Sequence, residues 1–451
     1  MPYFRAIPVP ANVPTPILLS VPIRGLFLAP LIALTLALSG CLESSPPVPE
    51  PLPPLGDITS AFRTTAFDDT DYSDLKGFQT MIGDSRIVMM GEQTHGEGST
   101  FAAKARFSRF MHEKMGFDVF ILESGFFDMN LAWQRAVAGE ITATLIKNSA
   151  FYMYDQSSEM RPLFNYIDAH KTGPRPFILS GMDSQHAGEL ARTYLMKELQ
   201  AFLTRHGSKR VGTSNWIWAK LQANAFMISF GGKVSDSTRT RYQNYNDSLR
   251  ADVVAIDAHS PDSLFEQSGF WENILLGLRF QADKARDTTG NARDLQMANN
   301  VRWLLEGPYK GKKAVIWTHN VHAFRSFASI RDRTYPDDWT RAKLVGSHLA
   351  DTYGKQLFVL GATGRQGGYV DWYDMQTKTI PSLDSDFVET KIDTGLTYGF
   401  ISLRNLPPAE QWLSGINKTC LVDYYPFDAA LPELYDGLMY IRTATPTNKP
   451  Q

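Results

Sequence analysis

A carboxylate and an imidazole three residues apart, Glu92 and His95, are the first side chains whose types and spacing could support catalysis. They follow an apolar run, residues 86–91, that is typical of a buried strand. Ser99 or Thr100 is predicted to cap the helix that comes next, whose free N–H groups would suit an anionic ligand or a developing oxyanion. Because a carboxylate can orient an imidazole and raise its basicity, the pair could perform general acid–base chemistry near neutral pH.

Polar side chains also follow three further apolar runs that are predicted to be strands. Glu123 and Asp183 each close one run, and His319 and His322 follow another. In a parallel sheet the carboxyl ends of the strands meet at one edge, where ligands usually bind. We therefore predict that these side chains share a cleft with the first pair.

Strands that alternate with helical patterns predict an α/β fold with a mainly parallel central sheet and helices on both faces. A long helical stretch, about residues 187–306, predicts a helical subdomain between two of the strands. Residues 398–403 and 437–441 are predicted to be late strands. The glycine-rich segment 361–368 is predicted to be a loop that makes turns near the site, where Arg365 could contact an anion.

Composition and missing motifs exclude several classes of function. The apolar and charged fractions, 43% and 20%, are ordinary for a globular protein, and the net charge of -2 argues against nucleic acid as the partner. The chain has no Gly-x-Ser-x-Gly, so a serine nucleophile on a strand-to-helix turn is not expected. His112 and Glu113 lack the second histidine of a zinc-protease helix.

The N-terminus predicts export. An uncharged run, residues 25–40, follows Arg24 and ends in Leu38-Ser-Gly-Cys41, which resembles a bacterial lipobox. We predict a lipoprotein signal peptide over residues 1–41 with lipid on Cys41, an uncleaved signal anchor being the alternative. A proline-rich tether, 42–56, would join the lipid to a catalytic domain over 57–445 at the bacterial cell envelope, on the outer membrane or the periplasmic face. Cys420 is the only other cysteine, so no disulfide is expected.

The residues leave more than one chemistry open. Direct acid–base catalysis needs no cofactor, but a divalent metal could also be held by the same carboxylates and imidazoles. That metal site would use Glu92, His95, Glu123, His319 and His322. A non-catalytic envelope protein that binds a metal complex or a glycan is the third possibility.

Three segments together resemble the motifs of the erythromycin esterase family. They are Gly-Glu92-Gln-Thr-His95, Leu-Glu123-Ser-Gly-Phe and Thr-His319-Asn-Val-His322, and the similarity extends over residues 82–442. The resemblance implies an α/β fold in which helices form one wall of a cleft. It also implies hydrolysis of the macrolactone ester of macrolide antibiotics without an obligatory metal.

The same resemblance assigns roles to individual residues. His95 would be the general base that activates water, with Glu92 as its partner, while Glu123, His319 and His322 would orient water and donate to the oxyanion or the leaving alcohol.

The chain departs from the family pattern nine residues after the first motif histidine. The family typically has arginine there, whereas this chain has Lys104, with Arg106 two residues further on. The lysine ammonium is a point charge, whereas the arginine guanidinium is planar and can form two parallel hydrogen bonds. This difference bears on whether a macrolide is the substrate more than on the hydrolytic chemistry. We predict that Lys104 belongs to the catalytic group and that Arg106, Asp183 and Arg365 contact the substrate. The predicted function is a lipid-anchored hydrolase of a carboxylic ester or lactone, with macrolide inactivation as one candidate role.

Overall fold

The computed structural model describes residues 55–56, 58–229, 234–260, 263–283, 291–332, 342–392 and 395–449. The predicted signal peptide, Cys41 and most of the proline-rich tether lie outside these residues, so their assignment stays a prediction. Within the described ranges, no helix combines the length and the apolar composition that crossing a bilayer requires.

The described strands form a large central sheet and a small second sheet. The central sheet has nine strands in the order β1-β9-β12-β7-β2-β5-β3-β4, with β8 paired to β7, and the second sheet has the order β10-β11-β6. The six strands from β12 to β4 run parallel, which confirms the predicted α/β fold with a mainly parallel sheet. The strands are β1 (Thr59–Ala61), β2 (Ile87–Met90), β3 (Phe117–Gly125), β4 (Ile178–Asp183), β5 (Lys313–Trp317), β6 (Arg331–Asp332), β7 (Leu357–Val370), β8 (Thr377–Thr379), β9 (Tyr398–Ser402), β10 (Asn417–Val422), β11 (Tyr425–Ala429) and β12 (Gly437–Ala444).

Helices flank the central sheet. Five of them, α7 to α11, fill the described part of the long stretch between β4 and β5, and they belong to the same compact unit as the sheet. The helices are α1 (Lys76–Ile82), α2 (Gly98–Met115), α3 (Phe126–Val137), α4 (Thr142–Ile146), α5 (Tyr152–Asp155), α6 (Arg161–Ala169), α7 (Glu189–Arg205), α8 (Ser214–Ser229), α9 (Asp236–Ile256), α10 (Ser268–Asp283), α11 (Asn291–Glu306), α12 (Asn320–Ala323), α13 (Val345–Tyr353) and α14 (Leu431–Leu434).

The register of the central strands brings the polar strand ends to one edge. Strands β2 and β5 are apolar and almost wholly buried, as expected for strands covered on both faces. Met90 pairs with Trp317 on one side and with Leu360 on the other, and Leu122 also pairs with Trp317. Because Glu92, Thr318 and Glu123 follow these positions within one or two residues, the chain delivers all three to the same edge.

The prediction of a glycine-rich loop over residues 361–368 is wrong. Residues 361–368 lie inside β7, which pairs in parallel with β12 as far as Gly367 opposite Ala444. Ladder hydrogen bonds to β12 compensate for the weak strand propensity of glycine. A side chain at Gly361 would also meet the Tyr435 ring at 2.8 Å, so the close packing there requires glycine.

The start of α2 also differs from the prediction. The helix begins at Gly98 with Glu97 as its N-cap residue, which is two and three residues before the predicted caps Ser99 and Thr100. The Gly98 N–H donates to the Thr445 carbonyl at 2.8 Å, and the Thr445 N–H donates to the Ser99 hydroxyl at 3.1 Å. The C-terminal segment therefore covers the helix end that was expected to face an anion.

Candidate active site

The first part of the site is a buried cluster around Glu92. Its Oε1 accepts from His95 Nδ1 at 2.7 Å and from the Tyr154 hydroxyl at 2.8 Å, and its Oε2 accepts from Lys104 Nζ at 2.7 Å. Both Glu92 and Lys104 are completely buried. The strand β2 positions the carboxylate, while α2 supplies the lysine and α5 the tyrosine.

Electrostatics keep the Glu92–Lys104 pair ionised at neutral pH. Burial by itself would raise the pKa of Glu92, but Lys104 and His95 outweigh it and hold that pKa below the ordinary value. Burial lowers the pKa of Lys104 to about 8, so the ammonium group stays protonated at neutral pH. The ammonium also lies 4.1 Å from the centre of the Trp317 ring and donates to the Thr318 carbonyl at 3.2 Å. Glu92 is therefore a fixed anion.

His95 is the histidine of the site with an open ring nitrogen. Its Nδ1–H is directed to Glu92, and within the described part of the chain Nε2 has no hydrogen-bond partner. The side chain is 12% exposed, the rest being enclosed by the Phe151, Trp372 and His319 rings at 4.8–5.8 Å between centroids. A carboxylate-oriented imidazole with a free Nε2 has the arrangement of a general base.

The second part of the site is an ionic network around Glu123. Its Oε2 accepts from the Thr318 hydroxyl at 2.6 Å and from the His319 N–H at 2.9 Å, while its Oε1 lies 3.2 Å from Arg293 Nη2 and 3.3 Å from His322 Nε2. Burial acts to raise the pKa of Glu123, but His322 and Arg293 hold it well below its usual range. Glu123 is thus a permanent anion facing two cationic groups.

His322 and Arg293 bring positive charge into the cleft. His322 Nδ1 donates to Asp294 at 2.6 Å, and Arg293 binds Asp183 through two hydrogen bonds of 3.0 and 2.6 Å. Burial alone would lower the pKa of His322, but Asp294 and Glu123 outweigh it and raise that pKa. His322 is therefore protonated more readily than an ordinary histidine, and its Nε2 lies 3.3 Å from Glu123 and 3.1 Å from Arg293 Nη1.

His319 has a different position from the other two histidines. Its Nδ1 accepts from the Val321 N–H at 3.2 Å, and its Nε2 lies 3.1 Å from the Gln93 carbonyl. Both ring nitrogens are thus engaged by the backbone, and the ring is in contact with His95. His319 supports the base rather than acting as one.

Thr318 joins the two parts of the site. Its carbonyl accepts from Lys104, and its hydroxyl donates to Glu123. The structure thus brings Glu92, His95, Glu123, His319 and His322 into one site, as predicted from the strand ends. Two carboxylates, one open imidazole and one imidazolium can activate water and stabilise an oxyanion.

The other charged residues that were predicted to belong to this site lie at different distances from it. Asp183 lies at the site but is bound to Arg293, so it holds the guanidinium. Lys104 contacts the site through Glu92 and the Thr318 carbonyl and is completely buried, so it positions the carboxylate. Arg365 lies in β7 near Tyr440, and no contact within the described residues links it to the site.

The structure does not bring Arg106 to the site. The side chain is fully buried, and its guanidinium binds Asp74 together with the carbonyls of Thr64, Asp69 and Asp71. Helix geometry explains the error, because residues two positions apart on a helix face different sides. Arg106 ties the N-terminal segment to α2.

Several side chains of the site carried no signal that we read in the sequence. Arg293 and Asp294 come from α11, in the long helical stretch, and Tyr154 comes from α5. Asp423 lies on the turn between β10 and β11, with Oδ1 3.7 Å from His319 Nε2. The available signals were the adjacent Arg–Asp pair in an otherwise core-forming helix and the aromatic stretch 151–154.

Among the residues that the structure describes, no three His, Cys, Asp or Glu side chains are arranged to hold a metal ion. The donor atoms are used instead in the ion pairs and hydrogen bonds above. The expectation of chemistry without a metal stays a prediction.

The fold and this site define an α/β protein with a cluster of carboxylates and imidazoles at the carboxyl edge of its sheet. A family model described as erythromycin esterase matches residues 112–444. The chain belongs to the erythromycin esterase family.

Two curated relatives and one solved structure are consistent with membership of this family. A Bacillus subtilis (strain 168) protein named "Putative hydrolase YbfO" is 24% identical over 396 residues, covering 83% of this chain and 87% of the relative. Erythromycin esterase type II of Escherichia coli is 23% identical over 410 residues, covering 84% and 94%. A mutant of erythromycin esterase EreC in its open conformation has a TM-score of 0.64 at 16% identity, covering 86% and 98%.

Proposed function

We propose that this protein hydrolyses a carboxylic ester or lactone by direct attack of a water molecule that His95 activates. The observation that carries the proposal is the free Nε2 of His95 at a site where Nδ1 is fixed by the buried, ionised Glu92. Family membership supports hydrolysis, and a relative named erythromycin esterase makes a macrolide lactone one candidate substrate.

The proposed reaction has two steps. Water attacks the carbonyl carbon as its proton passes to His95 Nε2, which forms a tetrahedral oxyanion and an imidazolium. The imidazolium is stabilised by Glu92, and the cationic His322 and Arg293 stabilise the oxyanion. The intermediate then collapses with cleavage of the C–O bond, and the alkoxide takes the proton from His95. The products are an acid and an alcohol, or one hydroxy acid from a lactone.

The test is a hydrolysis screen of the full chain over macrolides, simple lactones and 4-nitrophenyl acyl esters, with and without a chelator. Ester or lactone turnover that survives the chelator is the expected result. Turnover abolished by the chelator and restored by a divalent metal would overturn the water-activation scheme and favour the metal-dependent alternative. Absence of turnover on every substrate would overturn the ester proposal.

The alkaline side of the pH–rate profile should report His322 together with Lys104, whose pKa is about 8. The protonated form stabilises the oxyanion, so activity is present below its raised pKa and is lost as the pH rises through that value. Asp294→Asn removes the anion that raises this pKa most, and burial then lowers it. We expect the alkaline limb of kcat/KM to move to lower pH, with a several-fold loss at pH 8. The surface variant Asp351→Asn should keep the wild-type profile, and an unmoved limb in Asp294→Asn would exclude His322 from this role.

A further inference from the structure

Two aromatic side chains pack against the ring of His95 and border the exposed part of that side chain. The Phe151 ring lies 4.8 Å from the His95 ring and the Trp372 ring 5.8 Å from it, both edge-on. Phe151 precedes α5, and Trp372 lies on the turn between β7 and β8. The Tyr152 hydroxyl donates to the Trp372 carbonyl, which links the two segments that carry these rings.

The hairpin that carries Trp372 is held firmly in place. Val370 N–H donates to the Gly96 carbonyl at 3.0 Å, and a side chain at Gly96 would lie 1.7 Å from the Val370 carbonyl oxygen. The hairpin is therefore packed against the loop that carries His95. Lys378 also binds both Asp371 and Asp374 across the turn. Because the hairpin is anchored through these contacts, the position of the Trp372 indole does not depend on contacts made by the indole itself.

The charges of the site limit which substrate group can bind beside Phe151 and Trp372. The three basic side chains Lys104, Arg293 and His322 are each bonded to a carboxylate. Among the residues that the structure describes, the carboxyl groups at the site outnumber these basic side chains, namely Glu92, Glu123, Asp183, Asp294 and Asp423. A substrate with an anionic group away from His322 and Arg293 would face this excess of negative charge, whereas the oxyanion that forms during the reaction lies beside those two cations. An acid formed by hydrolysis would be repelled in the same way, which assists product release.

From these observations, and resting on the proposed ester hydrolysis, we propose that Trp372 and Phe151 form a specificity subsite for the acyl part of the substrate. The subsite selects an uncharged ring or other bulky apolar group next to the scissile carbonyl. Aromatic rings offer large apolar contact area at fixed geometry, which suits a rigid ring better than a flexible chain. Binding energy from this non-reacting part would hold the carbonyl near His95 Nε2.

The test compares three 4-nitrophenyl esters that differ only in their acyl group: acetyl, cyclohexanecarbonyl and the anionic hemisuccinyl. The wild type should prefer the cyclohexyl ester and should cleave the hemisuccinate most slowly. Trp372→Ala should lower kcat/KM for the cyclohexyl ester by about tenfold, corresponding to the loss of roughly 1.4 kcal/mol of contact. It should lower kcat/KM for the acetate by much less than for the cyclohexyl ester, and Trp372→Phe should restore most of the preference. Ile141→Ala is the control for an apolar truncation away from the site, because Ile141 is 61% exposed and should change neither ester.

A binding measurement separates failure of this proposal from failure of the ester proposal. Acetylcyclohexane carries the same ring and carbonyl but cannot be hydrolysed, and its binding can be followed by saturation-transfer NMR. Weaker binding to Trp372→Ala than to wild type, with acetone as the reference ligand, supports the subsite even when no ester is cleaved. Equal binding, or an equal loss of activity on the acetate and the cyclohexyl ester, would overturn it.

Discussion

His95→Asn is expected to lower kcat on any ester that the wild type cleaves by about 10³-fold, within the range typical of general-base removal. Asparagine cannot accept the proton of the attacking water, and no other imidazole can substitute for it. His319 has both ring nitrogens engaged by the backbone, and His322 is favoured as a cation. The measurement is steady-state kinetics at neutral pH, together with circular dichroism to show that the fold persists.

His259→Asn serves as the matched control, because that imidazole is 79% exposed and lies on the surface. Its activity and melting temperature should equal those of the wild type. A His95→Asn enzyme that keeps more than about a tenth of the wild-type rate would exclude His95 as the base.

Lys104→Met should destabilise the fold by about 3–5 kcal/mol, because it leaves the buried Glu92 carboxylate without its counterion. The lost ammonium also donates to Thr318, so the link between the two halves of the site is broken. Glu92 would then favour its protonated form and cease to orient His95, and activity should fall with stability. Urea unfolding followed by fluorescence measures the loss.

Two comparisons identify the buried charge as the cause. Glu92→Gln combined with Lys104→Met removes both charges, and it should be more stable than Lys104→Met alone. Lys343→Met breaks an exposed ion pair with Asp351 and should cost less than about 1 kcal/mol. Equal destabilisation of the single and the double variant would show that packing, and not charge, dominates at this position.

The sequence predicted the parts of the site that follow the strands. Period and composition located β2, β3, β4 and β5, and the convergence of parallel strand ends then placed Glu92, Glu123 and His319 together. These inferences need only local pattern and one general property of parallel sheets.

Other parts of the site depend on contacts between distant segments. Arg293 reaches Glu123 across 170 positions, and the adjacent Arg–Asp pair in α11 does not by itself identify that distant partner. Arg106 shows the converse error, because a charged residue close to the motif in sequence faces the opposite side of α2. Glycine composition was also misleading in β7, where pairing with β12 overrides local propensity.

The position of β2 between β5 and β7 has a consequence for how the protein is made. The segment that carries Glu92 and His95 is synthesised roughly 220 residues before β5, and β7 follows later still. At about 5–20 residues per second, this apolar strand spends on the order of ten seconds or more without its partners. Folding of the centre is thus postponed until most of the polypeptide exists, and during that interval the nascent chain depends on chaperones or on sequestration to avoid aggregation.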